Sequence, residues 1–600
     1  MMILVFIRFF ACFLGVSGLA WGQVPGPRRD SVVVTGTMEP VELQEMDRAV
    51  RQFPVREWSL IANTPIDFLK LDPSIDLRQR SPNGLQADVS IRGGTFGQTL
   101  VLIDGQRVND AQSGHHHLNV PLPLESIERI EVLKGSGSTL YGADAVGGAI
   151  NFITRRSERS EIRSRVSAGN FGVNQQRVTM DYLRGKFSQS LTADRDFSSG
   201  FQQNRDYRNL SLLSRTNLTS GWGPSDITLA YTDRPFGAEQ FYGNFNSWER
   251  TRAQLISARQ ALGTRTQAGF TWRRHTDLFV LYRDRPQVFT NRHASESYVA
   301  SVRRTETVGV NAKLFYGAEG IHESIVSNNL GAHSRARGAV YGSFDIRALR
   351  RFSFSVGARE ESYGAGKRQF NPSASAGAWL SPSLKVRGGV SRAFRVPTYT
   401  DLYYHDPANR GTPGLRPETA WSYEGGADWN AGGRWRATAT VFHRREQDGI
   451  DYVRAHPADL WRAANIQSLR FTGLETGVTV RTRRTHQIDI HYTALRGAQA
   501  ALGGLQSKYI FNYPVHTGIA SWTAALPGQF SFRTRLGAME RLARAPYAVW
   551  DVYAARGGKR LRPFLQFSNL NDARYQEIPG VAMPGRSVVG GVEWVLFSNQ

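Results

Sequence analysis

Cysteine is almost absent from this chain: among its 600 residues there is one, Cys12. From residue 13 onward the chain therefore offers neither a disulfide framework nor a thiol nucleophile. For a chain that crosses an oxidising compartment unfolded, the lack of thiols also avoids wrong pairing. The fold has to be held together without covalent cross-links.

Long apolar runs are missing as well. Beyond the N-terminal segment no run approaches the roughly 18 apolar residues that a spanning helix needs, and the mean hydropathy is −0.38. A helical membrane protein is thereby excluded. A transmembrane β-barrel is not, because its strands alternate apolar and polar residues and average to a hydrophilic chain. A soluble β-propeller would share the same composition.

Signatures of catalysis and of nucleotide binding are also lacking. The sequence has no His-Glu-x-x-His and no nucleophile elbow in a strand-turn-helix setting. The glycine-rich Lys134–Thr139 lacks the spacing of a phosphate-binding loop, so tight turns are the better interpretation. We therefore do not expect an enzyme.

The formal net charge of +23 first suggests a nucleic-acid partner. The basic residues are scattered singly between apolar ones, however, and form no dense stripe. We therefore expect no nucleic acid binding. Arginine-rich strands suit an anionic lipopolysaccharide leaflet or an anionic ligand instead.

The N-terminal region is organised like a leader. Residues 1–22 combine the apolar stretches Ile3–Ile7 and Phe9–Leu14 with a small-residue ending, Ala20-Trp21-Gly22, and predict a signal peptide. Residues 23–37 form a linker that ends in a short β-branched run, Asp30–Gly36. Such a run is typical of an edge strand, or of a segment that adds a strand to a partner's sheet.

Residues 38–155 have the pattern of short elements and tight turns that is typical of a compact domain. Ile66–Leu69 predicts a small helix, and Asp104-Gly105 between apolar runs predicts a hairpin. Glu128–Thr154 contains two short strands separated by glycine-rich turns. From residue 156 to residue 600 the pattern changes to repeated period-two alternation, as in Ile227–Thr232 and Ile488–Ala494, which predicts strands that are apolar on one face.

Several motifs give the chain a family resemblance. Arg129–Val132, Leu140–Gly142, Gly147-Gly148 and Asn151–Thr154 resemble the end of the plug domain of TonB-dependent outer-membrane receptors, with Ser136 where proline is usual. The resemblance continues, in the expected order, through Val89–Gly94, Val101–Gly105, Ser391–Tyr403, Gly411–Thr419, Asn569–Asp572 and Met583–Arg586. Gly414 stands where the family often has asparagine.

This resemblance implies an all-β membrane barrel, namely a 22-stranded antiparallel transmembrane β-barrel with an N-terminal α+β plug in its lumen. The implied domains are a signal peptide (1–22), a periplasmic linker with the TonB box (23–37), the plug (38–155) and the barrel (156–600). The implied box residues are Asp30, Ser31, Val32, Val33, Val34, Thr35 and Gly36. Arg92, Arg129 and Glu131 are the implied ionic contacts between plug and barrel. Strand arginines should face the lumen, because an arginine facing lipid costs about 2–4 kcal/mol at mid-depth.

A polar loop with three adjacent histidines, 109–119, corresponds to an apical loop of the family's plug. We therefore predict ligand contacts from Asp110, His115, His116, His117 and Asn119. Neighbouring residues of a strand point to opposite faces, but in an irregular loop two of the histidines, His115 and His117, could share a transition metal with Asp110 as an oxygen ligand. A Ca²⁺ ion at the loops is also open. The simpler alternative, a polar loop with exposed imidazoles, is favoured.

The implied function is active uptake of a scarce metal chelate, a ferric siderophore or cobalamin, across the bacterial outer membrane, with no covalent cofactor. The implied partners are the TonB-ExbB-ExbD energising complex, the β-barrel assembly machinery, outer-membrane lipid with lipopolysaccharide, and the small-molecule ligand. Heme, another metal complex or a saccharide remain open as cargoes. A passive outer-membrane channel is the alternative from another class.

Overall fold

The structure is a computed structural model that describes residues 32–33, 35–37, 41–347, 351–364, 366–482, 485–498 and 502–598. The predicted signal peptide lies outside the described residues, as do Asp30, Ser31 and Val34 of the predicted box. In the described part of the chain, no helix has the length and the apolar character needed to cross a membrane.

Twenty-two antiparallel strands of the described chain close into a barrel, which confirms the predicted fold class. Ser587–Ser598 pairs with Glu161–Gly169 and so joins the last strand to the first. The closed sheet leaves no edge with unpaired backbone groups. In chain order, the strands are Glu161–Gly169, Asn174–Arg184, Phe187–Ser198, Tyr207–Ser220, Gly223–Glu239, Asn246–Leu262, Thr266–Val280, Thr290–Val308, Ala312–Ser327, Gly331–Arg347, Phe352–Tyr363, Lys367–Ser381, Leu384–Arg395, Glu418–Ala431, Trp435–Gln447, Leu469–Thr482, His486–Gly497, Pro514–Leu526, Phe530–Arg541, Tyr547–Arg556, Leu561–Ser568 and Ser587–Ser598.

The predicted alternation sets the two faces of the wall. Ile227 and Leu229 are 44% and 46% exposed on the outside, whereas Thr228 and Thr232 between and after them are buried inside. Large apolar side chains on neighbouring strands, such as Leu191 and Ile256, extend the same outer surface. The inner face is polar, as period two requires of a wall with an apolar outside.

The N-terminal domain contains a five-stranded sheet in the order Val50–Phe53, Ile127–Lys134, Gly148–Thr154, Thr99–Ile103 and Gln106–Arg107. Thr99–Ile103 and Gly148–Thr154 are parallel, and the other pairs are antiparallel. Ile75–Gln79 and Ala87–Ile91 form a separate antiparallel pair. The hairpin at Asp104-Gly105 and the helix Ile66–Leu69 are as predicted. We call this domain the plug.

The remaining helices of the described residues are short. Besides Ile66–Leu69, the α-helices there are Val55–Trp58, Ser138–Tyr141 and Tyr399–Tyr403. The 3₁₀ turns in the same part of the chain are Leu43–Glu45, Ser59–Ile61, Pro82–Gly84, Phe96–Gln98, Gly114–His116, Leu124–Ser126, Asn170–Gly172 and Pro527–Gln529.

The two ends of the barrel differ in the length of their connections. At one end, which we call the turn end, strands are joined by tight turns such as 185–186 and 221–222. At the other, the loop end, segments such as 396–417, 448–468 and 569–586 intervene between strands. Here Asn409–Arg410, Trp461–Ile466, Gly449–Arg454 and Gln506–Ser507 form a four-stranded sheet, which we call the loop sheet.

Buried ion pairs hold the plug inside the barrel. Four barrel arginines face inward and pair with plug carboxylates on several sides: Arg177 with Glu125 (3.1 Å), Arg215 with Asp104 (2.6 Å), Arg273 with Asp110 (2.6 Å) and Arg541 with Asp76 (2.5 Å). These four have the orientation predicted for strand arginines. The prediction is not met by every strand arginine: Arg252 and Arg274 lie at outward positions, 44% and 46% exposed, each paired with a carboxylate.

Candidate functional site

A cavity of about 860 Å³ opens between the plug and the loop end of the barrel. The plug contributes the segments around Phe96 and His115 to its wall. The barrel and the loop sheet contribute most of its aromatic rings: Tyr242, Phe279, Tyr404, Tyr452, Trp461 and Tyr509. A concave, largely preformed space with aromatic walls and a few polar groups is typical of a small-molecule site.

His115 is fixed in the wall of this cavity. The Ser113 hydroxyl accepts a 3.3 Å hydrogen bond from the His115 amide, and this caps the turn Gly114–His116. The His115 ring stacks on Phe96 with 4.0 Å between centroids, and its Nδ1 lies 2.7 Å from Asp88. Burial lowers the pKa of His115, and the nearby Asp88 carboxylate opposes that effect. A neutral, stacked imidazole at this place can contact a bound ligand.

His116 points to a different place from His115. Its Nε2 lies 3.5 Å from the Asp277 carboxylate of the barrel, and its Nδ1 lies 3.3 Å from the Asn119 amide nitrogen. Burial alone would lower the pKa of His116, but the hydrogen bond and the charge of Asp277 more than offset it and raise the pKa to about 9. His116 thus forms part of the cavity wall as a partner of barrel carboxylates.

The other predicted loop residues lie behind the cavity wall. Asp110 accepts hydrogen bonds from Arg273 (2.6 Å) and Ser295 (3.1 Å) of the barrel. His117 is buried next to Asn109, with its Nδ1 3.3 Å from that amide nitrogen. The structure therefore gives His115 and His117 separate partners. Within the described residues, the group whose atoms could share a metal ion is His116, Glu249 and Asp277.

Charged side chains in the cavity wall do not follow the overall charge of the chain. Four basic residues and six carboxylates line it: Arg78, Arg80, Arg395, Lys508, Asp88, Glu249, Asp277, Asp401, Asp406 and Asp451. The basic groups are also engaged within the protein. Arg80 lies 3.3 Å from Asp88, and the Lys508 ammonium donates a 2.6 Å hydrogen bond to Asn409. His116, with its raised pKa, adds a fifth basic group to the wall. The wall is therefore close to electrical balance and has no surplus of positive charge, although the chain as a whole has a net charge of +23.

The predicted ionic contacts of the plug are not among the residues that line this cavity. Arg92 donates 2.7 Å hydrogen bonds to both Glu424 and Glu475 of the barrel, and all three side chains are nearly buried. The Arg92 guanidinium also lies 4.4 Å from the centroid of the Phe442 ring. For Arg129 and Glu131 the structure describes a 2.8 Å pair with each other inside the plug.

The described part of the predicted box is attached to the plug. Val32–Val33 pairs antiparallel with Val41–Glu42, and Thr35 is fully buried. The Thr35 amide and hydroxyl donate to the same Glu131 oxygen, at 2.9 and 2.6 Å. Asn151 donates to the Thr35 hydroxyl at 3.0 Å. The segment is therefore connected directly to two central strands of the plug.

Sequence reasoning missed the barrel and loop contributions to the cavity. Glu249 and Asp277 lie on neighbouring barrel strands, 133 and 161 positions after His116. Trp461 belongs to the loop sheet, and Lys508 and Tyr509 directly follow its strand Gln506–Ser507. The pairing of this sheet has no signal in the sequence. A carboxylate at an inward position of a strand was visible in the alternation. Its neighbours across the lumen depend on register and could not be identified.

Comparison with known proteins agrees with this architecture. Residues 57–149 match the family model "TonB-dependent Receptor Plug Domain", and residues 135–576 match "TonB dependent receptor-like, beta-barrel". The chain is 26% identical over 514 residues to the iron-regulated outer membrane virulence protein of Vibrio cholerae, which covers 75% of each chain. It is 40% identical over 133 residues to the vitamin B12 transporter BtuB of Vibrio vulnificus, which covers 22% of each.

Solved structures share the fold at low sequence identity. The siderophore receptor PirA from Pseudomonas aeruginosa has a TM-score of 0.71 at 18% identity, with 91% of this chain and 99% of that chain covered. The FrpB iron transporter from Neisseria meningitidis has a TM-score of 0.76 at 15% identity, with the same coverage. Because the barrel model alone spans well over half of the sequence, this chain belongs to the family of TonB-dependent receptors, the plugged transporters and receptors of the outer membrane of Gram-negative bacteria.

Proposed function

We propose that the chain takes up a metal chelate of low net charge from outside the cell, and that cobalamin is the first ligand to test. The observation that carries this proposal is the cavity wall, where six carboxylates face four basic side chains and His116, so that no surplus of positive charge is present. A multiply anionic ferric catecholate would meet no net positive charge there. Cobalamin, which carries no large negative charge, does not need one.

The aromatic wall supports a large, partly apolar ligand. Tyr452, Trp461 and Tyr509 surround the Lys508 ammonium at 5.6, 5.9 and 5.3 Å from their ring centroids. Their polar edges and flat faces can contact both the amide groups and the ring of a corrinoid. His115, stacked on Phe96, offers a further ring and a nitrogen atom on the plug side.

A ferric siderophore is the second candidate. It is favoured by relatives of the chain: the Vibrio cholerae protein is called iron-regulated, and the Pseudomonas aeruginosa structure is called a siderophore receptor. The match to the vitamin B12 transporter is higher in identity but shorter. Heme, another metal complex or a saccharide would use the same cavity, and each is an outcome of the binding experiment.

A titration of the detergent-folded chain with cyanocobalamin, followed by tryptophan fluorescence and by calorimetry, tests the ligand. We expect saturable quenching with a 1:1 end point, because Trp461 lies in the cavity wall. The variant Trp461→Phe should lose most of the quenching while calorimetry still reports binding. Trp222→Phe is the control, since Trp222 is 74% exposed at the turn end.

A ferric catecholate and a neutral ferric hydroxamate serve as parallel ligands. Tight binding of the catecholate with no response to cyanocobalamin would contradict the charge argument. Tight binding of the hydroxamate alone would agree with the charge argument but would replace cobalamin as the proposed ligand.

Energy for uptake is proposed to arrive through the segment Asp30–Gly36, acting as the TonB box of the TonB-ExbB-ExbD complex. The pairing of Val32–Val33 supports this role, since a segment that already pairs as a strand can add to a partner's sheet. Pulling on it would act on Glu131 through Thr35. Val33→Pro removes a backbone donor and should abolish uptake by whole cells while ligand binding is unchanged.

Whole-cell uptake by the Val33→Pro variant also separates active uptake from a passive channel, because passive passage would not respond to this substitution. Conductance is a second test, since a passive channel would conduct ions as the intact chain. We expect no steady conductance from the intact chain in planar bilayers, because buried ion pairs attach the plug to the wall of the lumen.

We further propose that the barrel lies in a membrane whose outer leaflet is lipopolysaccharide, and that the β-barrel assembly machinery inserts it there.

A further inference from the structure

Three side chains from separate segments meet at one point of the cavity wall. His116 comes from the plug loop, Glu249 from the strand Asn246–Leu262 and Asp277 from the strand Thr266–Val280. Each offers one ligand atom, and these atoms all lie within 4.8 Å of one another. In the register of the two strands, Asp277 is opposite Thr251 and Glu249 is opposite Phe279, so the carboxylates form a diagonal pair on the inner face.

Three oxygen atoms around this point lack a donor. The Asp277 Oδ1, Gln86 Oε1 and Gln112 Oε1 atoms are buried and have no hydrogen-bond partner within the described part of the chain. The other oxygen atoms are used: Asp277 Oδ2 accepts from Gln112 at 2.9 Å, and Glu249 Oε2 accepts from Tyr242 at 2.6 Å. A buried acceptor without a partner costs about 1–3 kcal/mol.

The nearby positive charge of Arg80 is directed mainly at the plug. Its guanidinium lies 5.7 Å from the Tyr242 ring and forms a 3.3 Å ion pair with Asp88, while Nε and Nη1 have no hydrogen-bond partner in the described part of the chain. Within 4.8 Å of one another, the ligand atoms of the group comprise two carboxylates and one imidazole. An unpaired charge in such a place is expensive unless a cation or a proton accompanies it.

We propose that His116, Glu249 and Asp277 bind one divalent transition-metal ion that links the plug to the barrel wall. One imidazole and two carboxylates suit Zn²⁺, Fe²⁺ or Mn²⁺, whereas Ca²⁺ prefers six to eight oxygen ligands. The unpartnered Asp277 oxygen is the atom that the ion would satisfy. All three side chains line the cavity, so the ion can reach them from the loop end.

The residues around this group can orient the ligands. Tyr242 holds Glu249, Gln112 holds Asp277, and Asn119 lies against the far nitrogen of His116. Metal binding at Nε2 requires a proton on Nδ1, and the Asn119 amide can accept from it by turning its oxygen toward the ring. Asn119 therefore has a place in this site although it does not line the cavity.

The site is separate from the chelate that the cavity is proposed to hold, and it does not depend on which chelate that is. An ion held by one plug residue and two barrel residues has to lose a ligand whenever the plug moves relative to the wall. Its two positive charges would also offset the charges of Glu249 and Asp277, the two carboxylates that hold it.

The proposal is tested with the full, detergent-folded chain. The protein is treated with a chelator and dialysed, and its binding of zinc is then measured. Calorimetry and elemental analysis should give one ion per chain. His116→Gln and Asp277→Asn should each weaken binding by about 100-fold or more. His443→Gln is the control, because His443 pairs with Thr472 elsewhere on the barrel and should keep the wild-type affinity.

X-ray absorption of the zinc-loaded wild type provides a readout that needs no variant. One imidazole in the coordination shell is expected. An absence of saturable binding, a shell without imidazole, or unchanged affinity in a folded His116→Gln protein would overturn the proposal. Loss of binding in His115→Gln and His117→Gln, with His116→Gln unaffected, would assign the ion to those two histidines and overturn it equally.

Discussion

The Thr35 hydroxyl donates a 2.6 Å hydrogen bond to the Glu131 carboxylate, and both side chains are fully buried. This contact joins the predicted energising segment to the strand Ile127–Lys134 in the centre of the plug sheet. Glu131 also accepts from Arg129 at 2.8 Å. A carboxylate with several donors in a dry place is a strong anchor, because hydrogen bonds to a charged group contribute about 1.5–3 kcal/mol.

Replacing this carboxylate should release the segment. Glu131→Gln keeps an acceptor but removes the charge, and Glu131→Ala removes both. We expect amide exchange at Thr35 to accelerate by about tenfold in the first variant and more in the second. Thr35→Val removes only the hydroxyl donor and should have the smallest effect. Equal exchange at Thr35 in all four proteins would show that Glu131 does not anchor the segment.

Arg92 should stabilise the docked plug far more than Arg129. Arg92→Ala removes the nearest cation from both Glu424 and Glu475 and leaves them with the more distant Arg48 (3.7 Å) and Lys134 (3.6 Å). Breaking a buried ion pair typically costs about 3–5 kcal/mol, and the remaining cations place this loss toward the lower end. We expect urea to release the plug at markedly lower concentration, measured by protease cleavage within residues 41–155. Arg129, whose side chain is 23% exposed, is the matched control, and Arg129→Ala should have a smaller effect. A larger effect of Arg129→Ala would reverse the ranking.

Gly148 is a position at which the plug sheet has no room for a side chain. A methyl group there would collide with the carbonyl oxygen of Leu133 on the adjacent strand. Gly148→Ala should cost more than about 3 kcal/mol and disturb the pairing of Gly148–Thr154. Gly105→Ala is the control: its φ of +81° is also unfavourable for alanine, but the space around it is open. Hydrogen exchange of the plug amides distinguishes the two, and equal exchange would contradict the steric argument.

Asp451 holds the loop sheet together at the cavity wall. Its oxygens accept from the amides of Tyr452 (2.7 Å), Tyr509 (3.0 Å) and Ile510 (3.1 Å). Asp451→Ala leaves these buried donors without an acceptor, at about 1–3 kcal/mol each. We expect the Lys508–Tyr509 segment to detach and ligand affinity to fall at least tenfold in calorimetry.

Asp459→Ala is the control for that variant. Asp459 is exposed in the same connection, accepts from the His456 amide at 2.8 Å, and does not line the cavity. Its loss should leave affinity unchanged. If both variants bind equally well, the loop sheet does not shape the binding site.

The sequence predicted the architecture because each part of it has a local signal. Alternation such as Ile227–Thr232 identifies a two-faced wall without knowledge of its neighbours. The Asp104-Gly105 turn and the Gly147-Gly148 pair identify the hairpin and the closely packed plug strands by backbone requirements alone. Arg92 was predicted from its motif, and its barrel partners Glu424 and Glu475 were not.

The cavity was less predictable because it is built from distant parts of the chain. His115 and His116 are adjacent in sequence, yet one stacks on Phe96 while the other faces Asp277. Nothing in a run of three histidines distinguishes these directions. The charge balance of the cavity was also hidden, since the net charge of +23 does not reveal that so many arginines are committed to plug carboxylates.

The seam between Glu161–Gly169 and Ser587–Ser598 joins segments more than 400 positions apart in the sequence. Contacts of such separation have a high entropic cost and form slowly, so closure is expected to be the late step of barrel formation. The plug precedes the first barrel strand, and its buried ion pairs reach strands around the whole circumference. Because those ion pairs form only when the plug and the surrounding strands are both in place, we expect docking of the plug and closure of the seam to be coupled during biogenesis.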